Sequence, residues 1–376
     1  MEAVKSAARR GRVRGIDATR GAAMLFVCLA HFGYAYFGLN GADRTGWIVL
    51  TIGRIASPTF MLISGIVLGI LYAFHREDFS SLRDRLIDRG IFLLTVAHVT
   101  IAGAHFAVPG GIPIALVSGV ITDSIGFNLI VGALLITRTS PMRRLVVGAI
   151  VYGVAWILVF LWQPQATWVE LTKQVLVGST RVLDSTWEFD CPLAPWFAYY
   201  FAASTLGEKL GALYMAGESA RIKRLVLRLG AMAFTLGLVS LLIALHRFRA
   251  VAHRSTIVNI LSILGSPMKK NPPSPAYFAL YGGVGLLMLL FFLKLESIRG
   301  AGLGLAVMVG QTSLFAFVIE YYVYLAIIYP MHLSYTVVWP LYFVASVVTV
   351  AFTCWIWRHR GYNRFITVGY APSAAE

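Results

Sequence analysis

Apolar positions in this chain come in long blocks, without strict alternation or short amphipathic stripes. Windows of about 20 mainly apolar residues, the length a helix needs to cross a bilayer core, fall at 16–39, 46–74, 88–107, 121–138, 143–162, 193–213, 223–245, 276–294, 304–329 and 335–357. Blocks this long lack the ~10-residue in/out alternation of an outer-membrane barrel, and a helix satisfies its backbone polar groups internally. The pattern predicts an all-α polytopic membrane protein of about ten transmembrane helices. The connection 108–120, with Pro109, Gly110, Gly111 and Pro113, suits a re-entrant or interfacial piece. The connection 163–192, with Trp168 and Trp187, suits an interfacial outer cap. The expected organisation is a basic segment 1–15, one transmembrane domain 16–357 and a tail 358–376. The basic start runs directly into a span too long for a signal-peptide core, so the first helix is expected to remain as an anchor.

The polar residues inside these blocks change the picture most. Arg20 and His31 share the first span, eleven residues apart, so on a helix they lie on one face, about 16 Å apart along the axis. Asp17 lies on the same side. If the chain enters from the cytoplasm, His31 is about 22 Å in, Arg54 about 12 Å below the outer surface, and Glu320 about 24 Å from the start of its span. Asp123 opens the fourth span at the same outer level. Ionisable groups at membrane depth face a bundle interior and pair with one another, so His31, Arg54, Asp123 and Glu320 are expected to build a polar outer cavity. A neutral imidazole beside a carboxylate is a general base, which makes His31 the candidate catalyst, oriented by Asp123 or Glu320. Arg54 could instead be a structural partner of Glu320, and Asp123 simply a helix cap.

Composition agrees with the class: 58% of residues are hydrophobic and 13% charged, with mean hydropathy +0.74, against about a quarter charged in soluble domains. The net charge of +15 is accounted for by topology and anionic lipid, so no nucleic-acid partner is expected. Lys5, Arg9, Arg10, Arg12 and Arg14, then Arg76, Arg83, Arg85 and Arg89, then Arg138, Arg143 and Arg144, then Lys209, Arg221, Lys223, Arg224 and Arg228, and finally Arg358, Arg360 and Arg364 fall on one side. By the positive-inside rule both termini are then cytoplasmic, in what is expected to be a bacterial inner (plasma) membrane. One loop disagrees: 246–275, with Arg247, Arg249, Arg254, Lys269 and Lys270, counts as outside, so either the count slips there or the loop has a task. Arg83, Arg85 and Arg89 cluster at the cytoplasmic start of the third span, where charge-assisted bonds would hold polyphosphate, although they also suit ordinary positive-inside anchors. Three scattered cysteines give neither a disulfide framework nor zinc spacing. His98 and His105 share a face but have no carboxylate or cysteine at ligand spacing, so no metal is expected.

Several segments, in order, resemble the transmembrane acyltransferase superfamily, in the branch that includes heparan-α-glucosaminide N-acetyltransferase. Gly15-Ile-Asp-Ala-Thr-Arg20-Gly21 followed by His31 is similar to the family's R-x10-H opening. Ser57-Pro-Thr-Phe-Met-Leu-Ile-Ser64-Gly65, Asp123-Ser-Ile-Gly126, Pro192-Leu-Ala-Pro195-Trp196-Phe197 with Leu206-Gly207, and Lys270-Asn-Pro272-Pro273-Ser274 look like its later motifs. The resemblance implies transfer of an acyl group, acetyl by analogy, from cytosolic acetyl-CoA or another acyl-CoA to an extracytoplasmic sugar amine or hydroxyl. It implies a catalytic His31, an essential Arg20, and substrate contacts at Trp196, Lys270 and Ser274. Two departures stand out: Ser313-Leu314-Phe315 is followed by Glu320 where relatives tend to carry a His, and Arg85 and Arg89 are four apart where R-x-x-R is usual. Membrane lipids and an extracytoplasmic glycan or glycoside are the expected partners, with homo-oligomerisation open. Two other classes remain. A secondary transporter of a small anionic solute would also use buried Arg and Glu, though no inverted repeat is visible, and a non-enzymatic export scaffold has only the basic loop in its favour.

Overall fold

The computed structural model describes residues 13–37, 44–108, 110–179, 189, 191–247, 256–298, 303–331 and 339–362. All regular elements among them are helical, with one isolated bridge between Gly119 and Phe189. In chain order they are α1 Arg14–Phe37, α2 Arg44–Gly53, α3 Ala56–Phe74, α4 Phe79–Phe92, α5 His98–Gly103, α6 Gly111–Val117, α7 Ile121–Ile136 and α8 Pro141–Leu161. Then come α9 Thr167–Leu176, α10 Leu193–Met215, α11 Ser219–Arg247, α12 Thr256–Gly265, α13 Pro275–Glu296, α14 Gly304–Gln311, α15 Ser313–Tyr322 and α16 Trp339–His359. Among the described residues, seven segments are long and apolar enough to cross a membrane, and Ile121–Ile136 is a shorter apolar helix. Helices also occupy the first and sixth expected spans, as α1 and α10, but length and hydropathy together select only the seven, not ten. The 108–120 piece contains α6 and the outer cap contains α9; Trp187, Arg249 and Arg254 lie outside the described residues.

Three expected spans have different outlines, each for a local reason. The second is interrupted at Arg54–Ile55, between α2 and α3. Pro58 has no N–H to give the carbonyl four residues back, and its ring crowds that carbonyl, which belongs to Arg54. The Tyr277 hydroxyl donates to the Arg54 carbonyl instead, at 3.3 Å. The third begins at Phe79 instead of 88 and passes through a π turn at Leu93–Ala97. The ninth is split at Thr312, whose φ of −104° and ψ of 18° leave the helical region. Gly310 there is a weak helix former, and Thr312 bonds back to the Met308 carbonyl at 3.0 Å, a contact that bends helices.

Helices lie closest where glycine removes the side chain. α3 packs on α10, and a Cβ on Gly207 would overlap the Ile66 carbonyl while one on Gly69 would overlap that of Ser204. α14 packs on α1 in the same way, since a Cβ on Gly310 would overlap the Asp17 carbonyl and one on Gly21 that of Ala306. Such small-residue contacts are how helices gain van der Waals packing where lipid offers no hydrophobic drive. One end of the bundle is fixed by charge. Arg144 at the start of α8 is fully buried and bonds Glu208 of α10, which also accepts from Arg76 at 2.9 Å. Both guanidiniums lie near the Tyr72 ring, at 5.4 and 5.8 Å from its centre.

Gly310→Ala forces backbone apart between α1 and α14 and is expected to cost about 1–3 kcal/mol or more of stability. Gly304→Ala, whose Cβ meets open space, should leave thermal unfolding in detergent unchanged. Equal unfolding temperatures for the two variants would refute the close-packing account.

Candidate active site

The tight α1–α14 contact sets the register in which α15 leaves Thr312 and runs alongside α1. In that register His31 of α1 meets Glu320 of α15: the imidazole Nδ1 lies 2.9 and 3.0 Å from the two carboxylate oxygens. Glu320 is completely enclosed, whereas the His31 side chain is 22% exposed. A carboxylate accepts, so Nδ1 carries the hydrogen, and Nε2 is left as the acceptor of a neutral ring. Tyr321 stands edge-on to the imidazole at 4.9 Å and Tyr324 stacks on it at 5.4 Å.

His31 lines a cavity of about 70 Å3 together with Tyr34, Arg54, Ser57, Lys270 and Tyr321. The break between α2 and α3 carries Arg54 to this cavity, where its Nη1 donates to the Met268 sulfur at 2.8 Å. Lys270 arrives from the loop before α13, so the basic loop that the charge count could not place contributes to the same cavity as His31. Its neighbour Lys269 is held below the usual lysine range by burial.

The expected quartet is only partly assembled. Glu320, not Asp123, holds the His31 ring, and Glu320 accepts from His31, not from Arg54. Asp123 pairs with His98 of α5, with Nδ1 3.0 Å from each carboxylate oxygen, and accepts the Val120 N–H at 2.8 Å. It therefore works from behind the cavity wall, of which Val120 and Ile121 form part. His98 also reaches the Leu116 carbonyl at 3.1 Å through Nε2. Its seven-residue spacing from His105 drew attention to metal ligation, while its partner lay on another helix.

Arg20 stands apart from the cavity, donating to Ser313 at 2.7 Å where α15 begins. Asp17 beside it accepts from Gln311 at 3.1 Å. Arg83, Arg85 and Arg89 lie on α4, with Arg83 bonded to Asp84 at 3.1 Å and Arg85 exposed. Arg83 and Arg85 are near the far end of the bundle, since α3, 19 residues and so about 28 Å long, separates the start of α4 from the cavity. Arg89 lies further back along α4, next to Gly90, which packs against Gly126 and Ile130 of α7. Trp196 and Ser274, expected as substrate contacts, are fully buried. Trp196 packs edge-on against Tyr277 and Phe278. Ser274 caps α13, accepting from the Tyr277 N–H at 2.9 Å and donating to the Ser266 carbonyl at 2.6 Å. Both hold the wall and loop that present Lys270 and Arg54. Arg144, counted in the sequence as one more positive-inside residue, is a buried structural anchor. Among the described residues no group of three or more His, Cys, Asp or Glu is placed to hold a metal ion.

Residues 12–248, more than half of the chain, match the family described as heparan-α-glucosaminide N-acetyltransferase, catalytic. The chain belongs to that family. No curated protein matches it significantly. Membership implies membrane acetyltransferase activity. The matched part of this acetyltransferase-family chain holds Arg20, His31, Arg54, Asp123 and Trp196, whereas Lys270, Ser274 and Glu320 lie beyond it. The His31–Glu320 pair thus joins the matched part to the later part of the chain.

Ser274→Ala should cost about 1 kcal/mol of stability through the lost cap, read as a lower unfolding temperature, with acceptor KM changed little. A large rise in acceptor KM at unchanged stability would instead make Ser274 a substrate contact.

Proposed function

We propose that this protein moves an acyl group, acetyl by family, from acyl-CoA bound at the Arg83–Arg89 end of the bundle to a sugar amine or hydroxyl at the His31 end. The observation that carries this reading is the His31 Nδ1 contact to Glu320, which leaves Nε2 of a cavity-lining imidazole free to take a proton. The acceptor N–H or O–H gives that proton to Nε2 as its heteroatom attacks the thioester carbonyl. The carbon–sulfur bond breaks and the CoA thiolate leaves, taking a proton in turn. Glu320 keeps the ring in the productive tautomer and stabilises the imidazolium that forms, the task of a carboxylate behind a catalytic histidine. Arg54 lines the same cavity and offers positive charge to the carbonyl oxygen as it becomes an oxyanion.

Arg20, about 16 Å along α1 from His31, sits between the two ends and is assigned to the path of the donor arm. A cavity of about 70 Å3 is far below the several hundred Å3 of a ligand pocket, so substrate binding must widen it. The π segment Val323–Ile328 directly after α15 and the break at Arg54 are the places where the wall can give, since irregular turns of this kind mark functional sites. The sidedness, with the donor at the cytoplasmic face and a glycan or glycoside at the other, rests on the distribution of basic residues and on the family. The family's name supplies glucosamine as the first acceptor to try.

His31→Ala should retain acyl-CoA binding and lose acyl transfer by roughly two orders of magnitude or more, the size of a lost general base. Glu320→Gln should lower kcat while leaving KM for both substrates near wild type. Wild-type turnover by purified His31→Ala with acetyl-CoA and glucosamine would remove His31 from the chemistry. Replacing Arg83, Arg85 and Arg89 by alanine should raise the KM for acetyl-CoA in a salt-dependent way, because exposed charges are screened. An unchanged KM would move the donor site elsewhere.

A further inference from the structure

A second, larger cavity of about 760 Å3 opens between α14 and α16, away from His31. Its body is apolar, with Leu305 and Met308 on one wall and Phe352 and Trp355 on the other, and its end carries Arg358 and His359. No carboxylate is among its described lining residues. The opening has a packing cause. Gly21 and Gly310 draw α14 deep onto α1, while α16 packs through Trp357 stacked on Phe315 at 4.0 Å and through Val350 and Cys354 in the core, leaving its Phe352 and Trp355 face turned outward. The two helices therefore part, and Leu305, Phe352 and Trp355 are left exposed along the gap.

We propose that this groove binds an anionic phospholipid of the adjacent leaflet, with one acyl chain along the apolar wall and the phosphate on Arg358. Length favours a lipid over a spanning partner helix. From Val348 to Arg358 the wall runs about 15 Å, half the hydrocarbon thickness of a bilayer. Charge selects the headgroup, because basic residues at the polar end of an apolar groove between helices favour anionic lipids over zwitterionic ones. His359, stacked on Trp355 at 5.3 Å, adds a second donor at headgroup level, and both aromatic and cationic groups suit the interface. Trp357 lies level with Phe315, two residues and so about 3 Å along the helix from Ser313, so the headgroup sits near the height of the Arg20–Ser313 contact. A chain in the groove presses on Met308, which belongs to the same core as Cys28 and Phe317, and so steadies α14 against α1.

The test uses the full chain in nanodiscs of phosphatidylcholine or of an equal mixture of phosphatidylcholine and phosphatidylglycerol, with retained lipid measured by native mass spectrometry. Phosphatidylglycerol should be retained over phosphatidylcholine by about fivefold or more, the share of one basic residue near a charged headgroup. Arg358→Gln should abolish that preference. Gly304→Leu projects into open space at the mouth of the groove, so it should reduce retention of both lipids without lowering the unfolding temperature in detergent. Equal retention of the two lipids, or a preference that survives both substitutions, would overturn the proposal. A Gly304→Leu variant that loses a dimer but keeps its lipid would assign the groove to a second copy of the chain.

Discussion

A carboxylate with no exposure to solvent survives as an ion only when a donor faces it, because the desolvation of an unpaired charge exceeds most of what packing can supply. Glu320 is in that position, and His31 is the donor. Much of the candidate site follows from that pairing. It requires α1 and α15 to lie within hydrogen-bond distance, and the glycine contact between α1 and α14 and the bend at Thr312 are what let α15 reach α1 at the needed height. It also fixes the imidazole by one nitrogen and turns the other to the cavity. The aromatic rings of Tyr321 and Tyr324 keep the imidazole from rotating away.

The bundle keeps its charges at two levels and treats them differently. At one end Arg144 and Arg76 share the Glu208 carboxylate, and their partner set is complete enough to be structural. At the other end Arg54 and Lys270 line a cavity, and Arg54 donates to the Met268 sulfur. A cation that lines a cavity can meet an anionic group or a developing negative charge there, and the difference between the ends separates scaffold from candidate chemistry. Interruptions in helices serve the same purpose. Pro58 opens the chain where Arg54 must turn inward, and the freed carbonyl is taken by Tyr277 from α13, so irregular backbone sits where protein, not lipid, surrounds it.

Hydropathy made the helices legible because lipid leaves so few alternatives: a long apolar block has to be a helix, and its ends follow from where polar residues resume. Bends within a block were not legible, since Arg54–Ile55 and Thr312 lie inside stretches whose mean hydropathy hides a proline or a glycine. For the site, depth counting placed His31, Arg54 and Glu320 at one height. Which pairs form depends on the rotation of each helix about its axis, and that is set by glycine contacts such as Gly21 on Ala306, which only packing reveals. Asp123 looked equivalent to Glu320 by depth, yet it faces α5 and His98. Motif membership likewise could not tell Lys270, at the cavity, from Ser274, four residues on and fully buried as a cap.

The partners of α1 lie almost a whole chain away in sequence. Gly15 bonds Glu296, Asp17 is met by Gln311, Arg20 by Ser313 and His31 by Glu320, separations of 281, 294, 293 and 289 residues. α1 is not among the segments apolar enough to cross a membrane by composition. During synthesis α1 therefore emerges before these partners, because Glu296, Gln311, Ser313 and Glu320 belong to α13, α14 and α15. The candidate site on α1 is therefore incomplete until α15 is in place.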